Sequence, residues 1–231
     1  MKMTKMVKIV LGLVVVGLIA MVSVAAFTPA QLDERTQIED LIITYARSMD
    51  HLDKEAWSNC FSANLVNYHV DRLVAPGEVE TQLDIVSAHE DNAQTLMLWM
   101  LSDRTRDCAF CPWSPTLDEY RAQFAAMTPK ERLVEMGDMM VFERIDFGQS
   151  HITNIVIDLD YGGENDAKAY DYFRHWEDID PSHLANIGQL MNDRNYYFQE
   201  GEHEYTLKKE SGEWKIVDFK GILLKSSKEA K

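Results

Sequence analysis

The chain has 231 residues, with 23 Lys or Arg against 38 Asp or Glu, a formal net charge of −15. That length suits one ordinary domain with appendages, and 46% hydrophobic residues are enough for a real core, which excludes a mainly disordered chain. So acidic a composition also argues against a nucleic-acid partner, since gripping a phosphate backbone takes clusters of Lys and Arg.

The charge is unevenly spread. Lys2, Lys5 and Lys8 precede an apolar run, residues 9–27, and no charged residue follows until Asp33. A basic start, an apolar middle and the small residues Val24-Ala25-Ala26 read as a secretory signal over residues 1–26, with an uncleaved membrane anchor as the alternative. Either way the following domain is expected outside the cytoplasm, periplasmic or secreted, or tethered there through residues 9–27. Without residues 1–26 the remainder carries 20 basic and 38 acidic residues, a charge of −18.

In chain order, Ile38, Leu41, Ile42, Tyr45, Ala46 and Met49 recur at helical spacing, predicting an amphipathic helix from Asp33 to about Met49. Asp53 is placed to cap a short second helix whose Trp57, Cys60 and Phe61 share a face, so Cys60 reads as a small buried hydrophobe. Asn64 to Asp71 alternates as a strand, and Pro76-Gly77 ends it. Helical patterns are then expected from Val79 to about Val134. They end in two helices that begin at Ser114-Pro115 and at Thr128-Pro129-Lys130-Glu131, where Thr caps, Pro takes the first turn and Glu follows at the capping-box spacing. Cys108 and Cys111 fall in this stretch and read as a loop bridge or two thiols. Thiol redox chemistry there is the weakest of three functional hypotheses, and zinc is disfavoured because no second Cys pair exists.

The last third changes character. His151 to Asp160, the aromatic-rich Ala167 to Glu177, Asn195 to Lys208 and Glu213 to Leu224 all read as strands, with Gly162-Gly163 and Ser211-Gly212 as turns. Helices first and consecutive antiparallel strands afterwards make the class α+β. Residues 225–231 read as a flexible tail.

Three segments carry a resemblance: Ile38-Glu39-Asp40-Leu41 through Tyr45-Ala46-Arg47-Ser48-Met49-Asp50 with Trp57 following; Ser150-His151-Ile152-Thr153-Asn154; and Tyr205-Thr206-Leu207 through Gly212-Glu213-Trp214-Lys215-Ile216. Together they resemble the SnoaL-like group of the nuclear transport factor 2-like superfamily, the type of the scytalone dehydratases and ketosteroid isomerases. The resemblance implies a cone-shaped α+β barrel over residues 27–224, with a strongly curved antiparallel sheet around an apolar cavity. Residues 73–145 then form a helical insertion, read as a lid or a partner surface, with Met97, Trp99 and Met100 compatible with a bulky apolar ligand.

The superfamily holds dehydratases, isomerases, hydrolases and binding subunits, so the fold alone does not assign a function. Dehydratase-like members pair an Asp after the first helix with a His at the start of a central strand, some with a Tyr five residues before the Asp; here these positions are Asp50, His151 and Tyr45. The chemistry suits that set. His151 would take a proton beside a carbonyl, Asp50 would orient and balance its imidazole, and Tyr45 would donate to an oxygen. Five residues of helix turn through 500°, so Tyr45 and Asp50 serve one site only if the helix ends before Asp50.

His175, His69, Tyr68 and Asn154 are the further candidates for lining the cavity, with at most one of His69 and Tyr68 facing in. The basic residue that some members carry near the last strand falls at Leu223, flanked by Lys220 and Lys225. No metal and no cofactor is expected. The resemblance implies a metal-independent lyase or isomerase acting on a hydrophobic small molecule, and a homodimer. The alternative is a non-catalytic binding or assembly module of the same fold.

Overall fold

The computed structural model describes residues 28–85, 117–142, 145–179 and 195–230. The signal or anchor at 1–26, the Cys108–Cys111 pair and the insertion residues Met97, Trp99 and Met100 lie outside them. The chain forms two compact units, Met1–Glu34 and Arg35–Lys231. The first is described only where helix α1 (Pro29–Asp50) begins. There Thr28 and Gln31 exchange backbone and side-chain hydrogen bonds in a capping box, with Pro29 in the first turn.

In the second unit, α1 continues to Asp50, followed by α2 (Lys54–Asn59), β1 (Asn67–Ala75), β2 (Glu78–Asp84), α3 (Leu117–Ala126) and α4 (Pro129–Gly137). A π-helical turn at Asp138–Phe142 leads into β3 (Ile145–Asp158), β4 (Asp166–Ile179), β5 (Asn195–Glu210) and β6 (Glu213–Ala230). The six strands form one unclosed sheet in the order β2-β1-β6-β5-β4-β3. Bulges in β1, β2, β3 and β6 break the register and bend it.

The caps and turns act as expected. Asp53 accepts from the Ala56 N–H, and Thr128 and Glu131 form the capping box of α4. Ser211 and Gly212, with φ of 53° and 92°, form a two-residue hairpin turn whose left-handed backbone matches the twist of the strands it joins. Cys60 is buried, donates weakly to the Ala56 carbonyl, and its thiol is pushed up to about 11 by burial, so it is a packed hydrophobe and not a nucleophile.

Four expectations are corrected. Residues 78–84 are a strand and not a helix. Pro76-Gly77, with Gly77 at φ 80°, is the tight turn of a hairpin, so Glu78–Asp84 pairs antiparallel with β1. The sheet is not wholly antiparallel, because β1 runs parallel to β6, the strand that is last in sequence. Residues 225–230 are not a free tail but the end of β6, paired with residues 195–200 through backbone hydrogen bonds that need no apolar pattern. Finally, α1 includes Asp50. Its end is sealed by Asp53 N–H to Ser48 O (2.8 Å) and Leu52 N–H to Met49 O (3.1 Å), with Leu52 left-handed at φ 55°. This is the two-bond Schellman closure, which keeps the residues before it helical.

The core lies between the helices and one face of the sheet. Ile38, Ile42 and Tyr45 of α1 are buried in the same cluster as Trp57, Phe61, Tyr205, Ile216 and Phe219. Phe61 also bridges to Ile216, which ties the chain after α2 to β6.

Candidate active site

Toward the end of α1 the packed core opens into a cavity of about 360 Å³, lined mostly by apolar side chains such as Met49, Val70, Leu83, Ile152 and Phe173. Two polar groups enter it. The first begins with Asp50 at the end of α1. Gly148 of β3 makes the approach possible, since a Cβ there would lie 3.2 Å from the His175 ring and 3.6 Å from the Asp50 carboxylate. Ser150 donates to Asp50 twice, from its backbone N–H to Oδ2 (2.8 Å) and from its hydroxyl to Oδ1 (2.7 Å).

His175, from the neighbouring strand β4, completes this group. Its Nδ1 lies 2.9 Å from Ser150 Oγ, and Ser150 and His175 are register partners. The single hydroxyl hydrogen of Ser150 is committed to Asp50, so the serine oxygen accepts and Nδ1–H donates. The neutral ring therefore keeps its lone pair on Nε2. Glu177 Oε2 stands 3.4 Å from Nε2, so a proton arriving there meets a carboxylate. The result is a chain, Asp50–Ser150–His175–Glu177, with a base at its cavity end.

The second polar group lies among aromatic rings. Tyr45 and Tyr68 hydroxyls are 2.8 Å apart. Burial pushes the Tyr68 hydroxyl up to about 12 and that of Tyr45 well above its ordinary value, so both stay protonated and donating at neutral pH. Two hydroxyls in contact use one hydrogen between them, which leaves one O–H to offer. Beside them on the sheet, Asp171 accepts from Tyr205 Oη (2.7 Å) and lies 2.9 Å from His203 Nδ1.

The expected Asp50–His151 dyad is not formed. His151 is exposed and packs edge-on against Trp176 at 5.4 Å on the outer face, opposite Arg174 in the register. Alternation along β3 turns Ser150 inward in its place. Tyr45, Tyr68 and His175 line the cavity, while Asp50 stands behind it and reaches it only through Ser150. That indirect reach is why Asp50 need not share a helical face with Tyr45.

His69 points away, paired with Asp71 (2.7 Å) and Asp84 (3.5 Å). Asn154, exposed and left-handed at φ 56° in the β3 bulge, lines a separate hollow with Tyr170 and Lys220. Leu223 lines the cavity; Lys220 is exposed beside Asp71. Ser150, Glu177, Asp171, His203 and Tyr205 were not singled out from sequence. The available signal was parity: Asp171, Phe173, His175 and Glu177 fall on one face of β4, as His203 and Tyr205 do on β5. Among the described residues no group of three or more metal-binding side chains comes together.

The class that these features define is an α+β cone, a bent sheet closed on one side by helices around a cavity, as the SnoaL-like resemblance implies. No protein-family model matches the sequence, and no curated protein does. Solved structures similar to this chain include a putative scytalone dehydratase from Novosphingobium aromaticivorans DSM 12444, at 14% identity over 87% of this chain and 91% of that one, TM-score 0.45. A hexachlorocyclohexane dehydrochlorinase (LinA) type 2 is similar at 8% identity over 86% and 90%, TM-score 0.48. The beta subunit of a putative aromatic-ring-hydroxylating dioxygenase, also from Novosphingobium aromaticivorans DSM 12444, is similar at 13% identity over 86% and 93%, TM-score 0.48.

Proposed function

We propose that this protein is a metal-independent lyase or isomerase that removes a proton next to, or in conjugation with, the carbonyl of an apolar small molecule. One observation carries the reading: a histidine lining a mostly apolar cavity, its Nδ1 linked through Ser150 to the Asp50 carboxylate, in a cavity that also holds a spare tyrosine O–H.

The step balances within the residues present. His175 Nε2 takes the proton as the C–H bond breaks, and the electron pair moves onto the carbonyl oxygen, where the Tyr45–Tyr68 hydroxyl donates to the developing charge. Asp50, acting through Ser150, holds the ring in the tautomer that leaves Nε2 free, and Glu177 balances the imidazolium. Return of the proton to another carbon gives isomerisation; loss of a β-hydroxyl gives dehydration.

The basic, apolar start supports export of this domain, cleaved after residue 26 or tethered by residues 9–27. A homodimer is part of the same proposal.

The test is hydrogen exchange of 2-tetralone and of longer apolar enones in deuterium oxide, followed by NMR with the full chain. Acceleration by the wild type and its loss in His175→Ala are expected. Equal rates for the two proteins would overturn the catalytic reading and leave a ligand-binding module.

A further inference from the structure

The sheet sorts the charges of this protein by face. On β4, Lys168 and Arg174 share one face, where they pair with Glu204 and Glu200 of β5, while Asp171, His175 and Glu177 share the other. Lys220 of β6 and Arg72 of β1 are paired as well, with Asp71 and Glu80. Among the described residues no Lys or Arg lines the cavity.

Carboxylates hold the other side of that division. Glu177 lines the cavity with only 16% of its side chain exposed, and its one charge partner among the described residues is His175 Nε2 at 3.4 Å. Asp50 stands behind Ser150, and Asp171 behind His203. The sign of this group does not depend on where the histidine protons sit. Three carboxylates accompany two imidazoles, so the group is negative even with both rings protonated, and more negative with either ring neutral. Inside a mostly apolar cavity such a charge is screened far less than on the surface.

We propose that the cavity selects its ligand by charge, with Glu177 as the selecting residue: it admits uncharged and cationic apolar compounds and rejects those that carry a carboxylate or a phosphate. An entering carboxylate would lose its water, meet the like charge of Glu177 and find no described Lys or Arg to pair with. An ammonium of similar size would recover at Glu177 part of the hydration it gives up. The carbonyl substrate of the proposed reaction is accordingly a free, uncharged ketone, and not one joined to a carboxylate or a phosphorylated carrier. That last step rests on the proposed chemistry; the charge selection rests only on this cavity being the ligand site.

Binding of three naphthalenes to the full chain, measured by calorimetry at physiological salt, tests this. 2-Naphthoate, 2-naphthylmethanol and 2-naphthylmethylammonium share a ring system and differ in charge. Comparing the two ions cancels most of the cost of dehydrating a charge and reads the sign of the potential inside the cavity. The wild type is expected to bind the ammonium about tenfold or more tightly than the naphthoate. Glu177→Gln should shrink that ratio about fivefold or more while leaving 2-naphthylmethanol within about twofold, which also shows that the cavity survives.

Equal binding of the two ions by the wild type, or a ratio unchanged in Glu177→Gln, would overturn the proposal. So would loss of 2-naphthylmethanol binding in that variant, which would make Glu177 a structural residue, or failure of the wild type to bind 2-naphthylmethanol at all. The wild-type comparison needs no variant that must fold. His175→Ala should lose exchange yet keep the preference for the ammonium, so failure of the base and failure of the charge selection are separately visible. A preference lost together with His175 would place the selection elsewhere than Glu177 and overturn the proposal as well.

Discussion

Ser150 gives Asp50 two hydrogen bonds, one from its backbone N–H and one from its hydroxyl, at 2.8 and 2.7 Å. The backbone bond fixes the carboxylate at the end of α1, and the hydroxyl bond forces the serine oxygen to accept from His175. Ser150→Ala removes only the second link. Exchange activity should fall about 10- to 100-fold, with stability lower by about 1–3 kcal/mol because the two hydrogen bonds of the hydroxyl, to Asp50 and from His175, are lost while the backbone anchor remains. Initial rates and a chemical denaturation curve check both halves, and an unchanged rate would remove the serine from the relay.

The two neighbouring histidines should separate cleanly. His151→Ala lies on the outer face and should leave activity unchanged and stability within about 0.5 kcal/mol. His175→Ala should abolish exchange. The reverse pattern would mean that β3 and β4 are misregistered here.

Alkaline pH should weaken the fold from inside the aromatic cluster. Burial raises the Tyr68 hydroxyl to about 12 and those of Tyr45 and Tyr205 well above their ordinary value, whereas the unfolded chain releases these protons near pH 10. Between those limits the native state binds more protons than the unfolded state, so stability is fully present below about pH 10 and declines as pH rises toward 12. Melting temperatures from about pH 8 to about pH 12 should trace this fall, and Tyr68→Phe should flatten part of it. A flat wild-type profile would contradict the burial of these hydroxyls.

Gly201 lies opposite the β6 bulge at Leu224, where an added Cβ would come within 2.1 Å of the Ile222 carbonyl and 2.8 Å of the Phe173 ring. Backbone cannot step aside as a side-chain tip can. Gly201→Ala should cost about 1–3 kcal/mol or more and disturb the Phe173–His203 stack, visible as a lower denaturation midpoint. Gly212→Ala makes a useful contrast: open space surrounds that position, so only its left-handed φ of 92° resists the change.

What the residues determined by themselves is local. Helix α1, the caps at Asp53 and Thr128, the Ser211-Gly212 turn, the four C-terminal strands and the buried Cys60 all follow from periodicity and cap chemistry spanning a few positions. The Pro76-Gly77 turn was legible too, but what followed it was not. Val79, Thr81 and Leu83 alternate weakly, and only pairing with β1 makes them a strand.

The site turned on register and closure, which no local window contains. A strand's faces differ by one residue, so the same stretch of β3 offers either Ser150 or His151 to the cavity; the ladder with β4 and the approach of α1 over Gly148 select Ser150. Asp50 and Ser150 meet across 100 residues, and Asp171 and His203 across 32. Composition and spacing showed an acidic α+β domain carrying histidines and carboxylates. Tertiary structure decided which of them share a proton, because hydrogen bonds act over about 3 Å and only folding brings such positions that close.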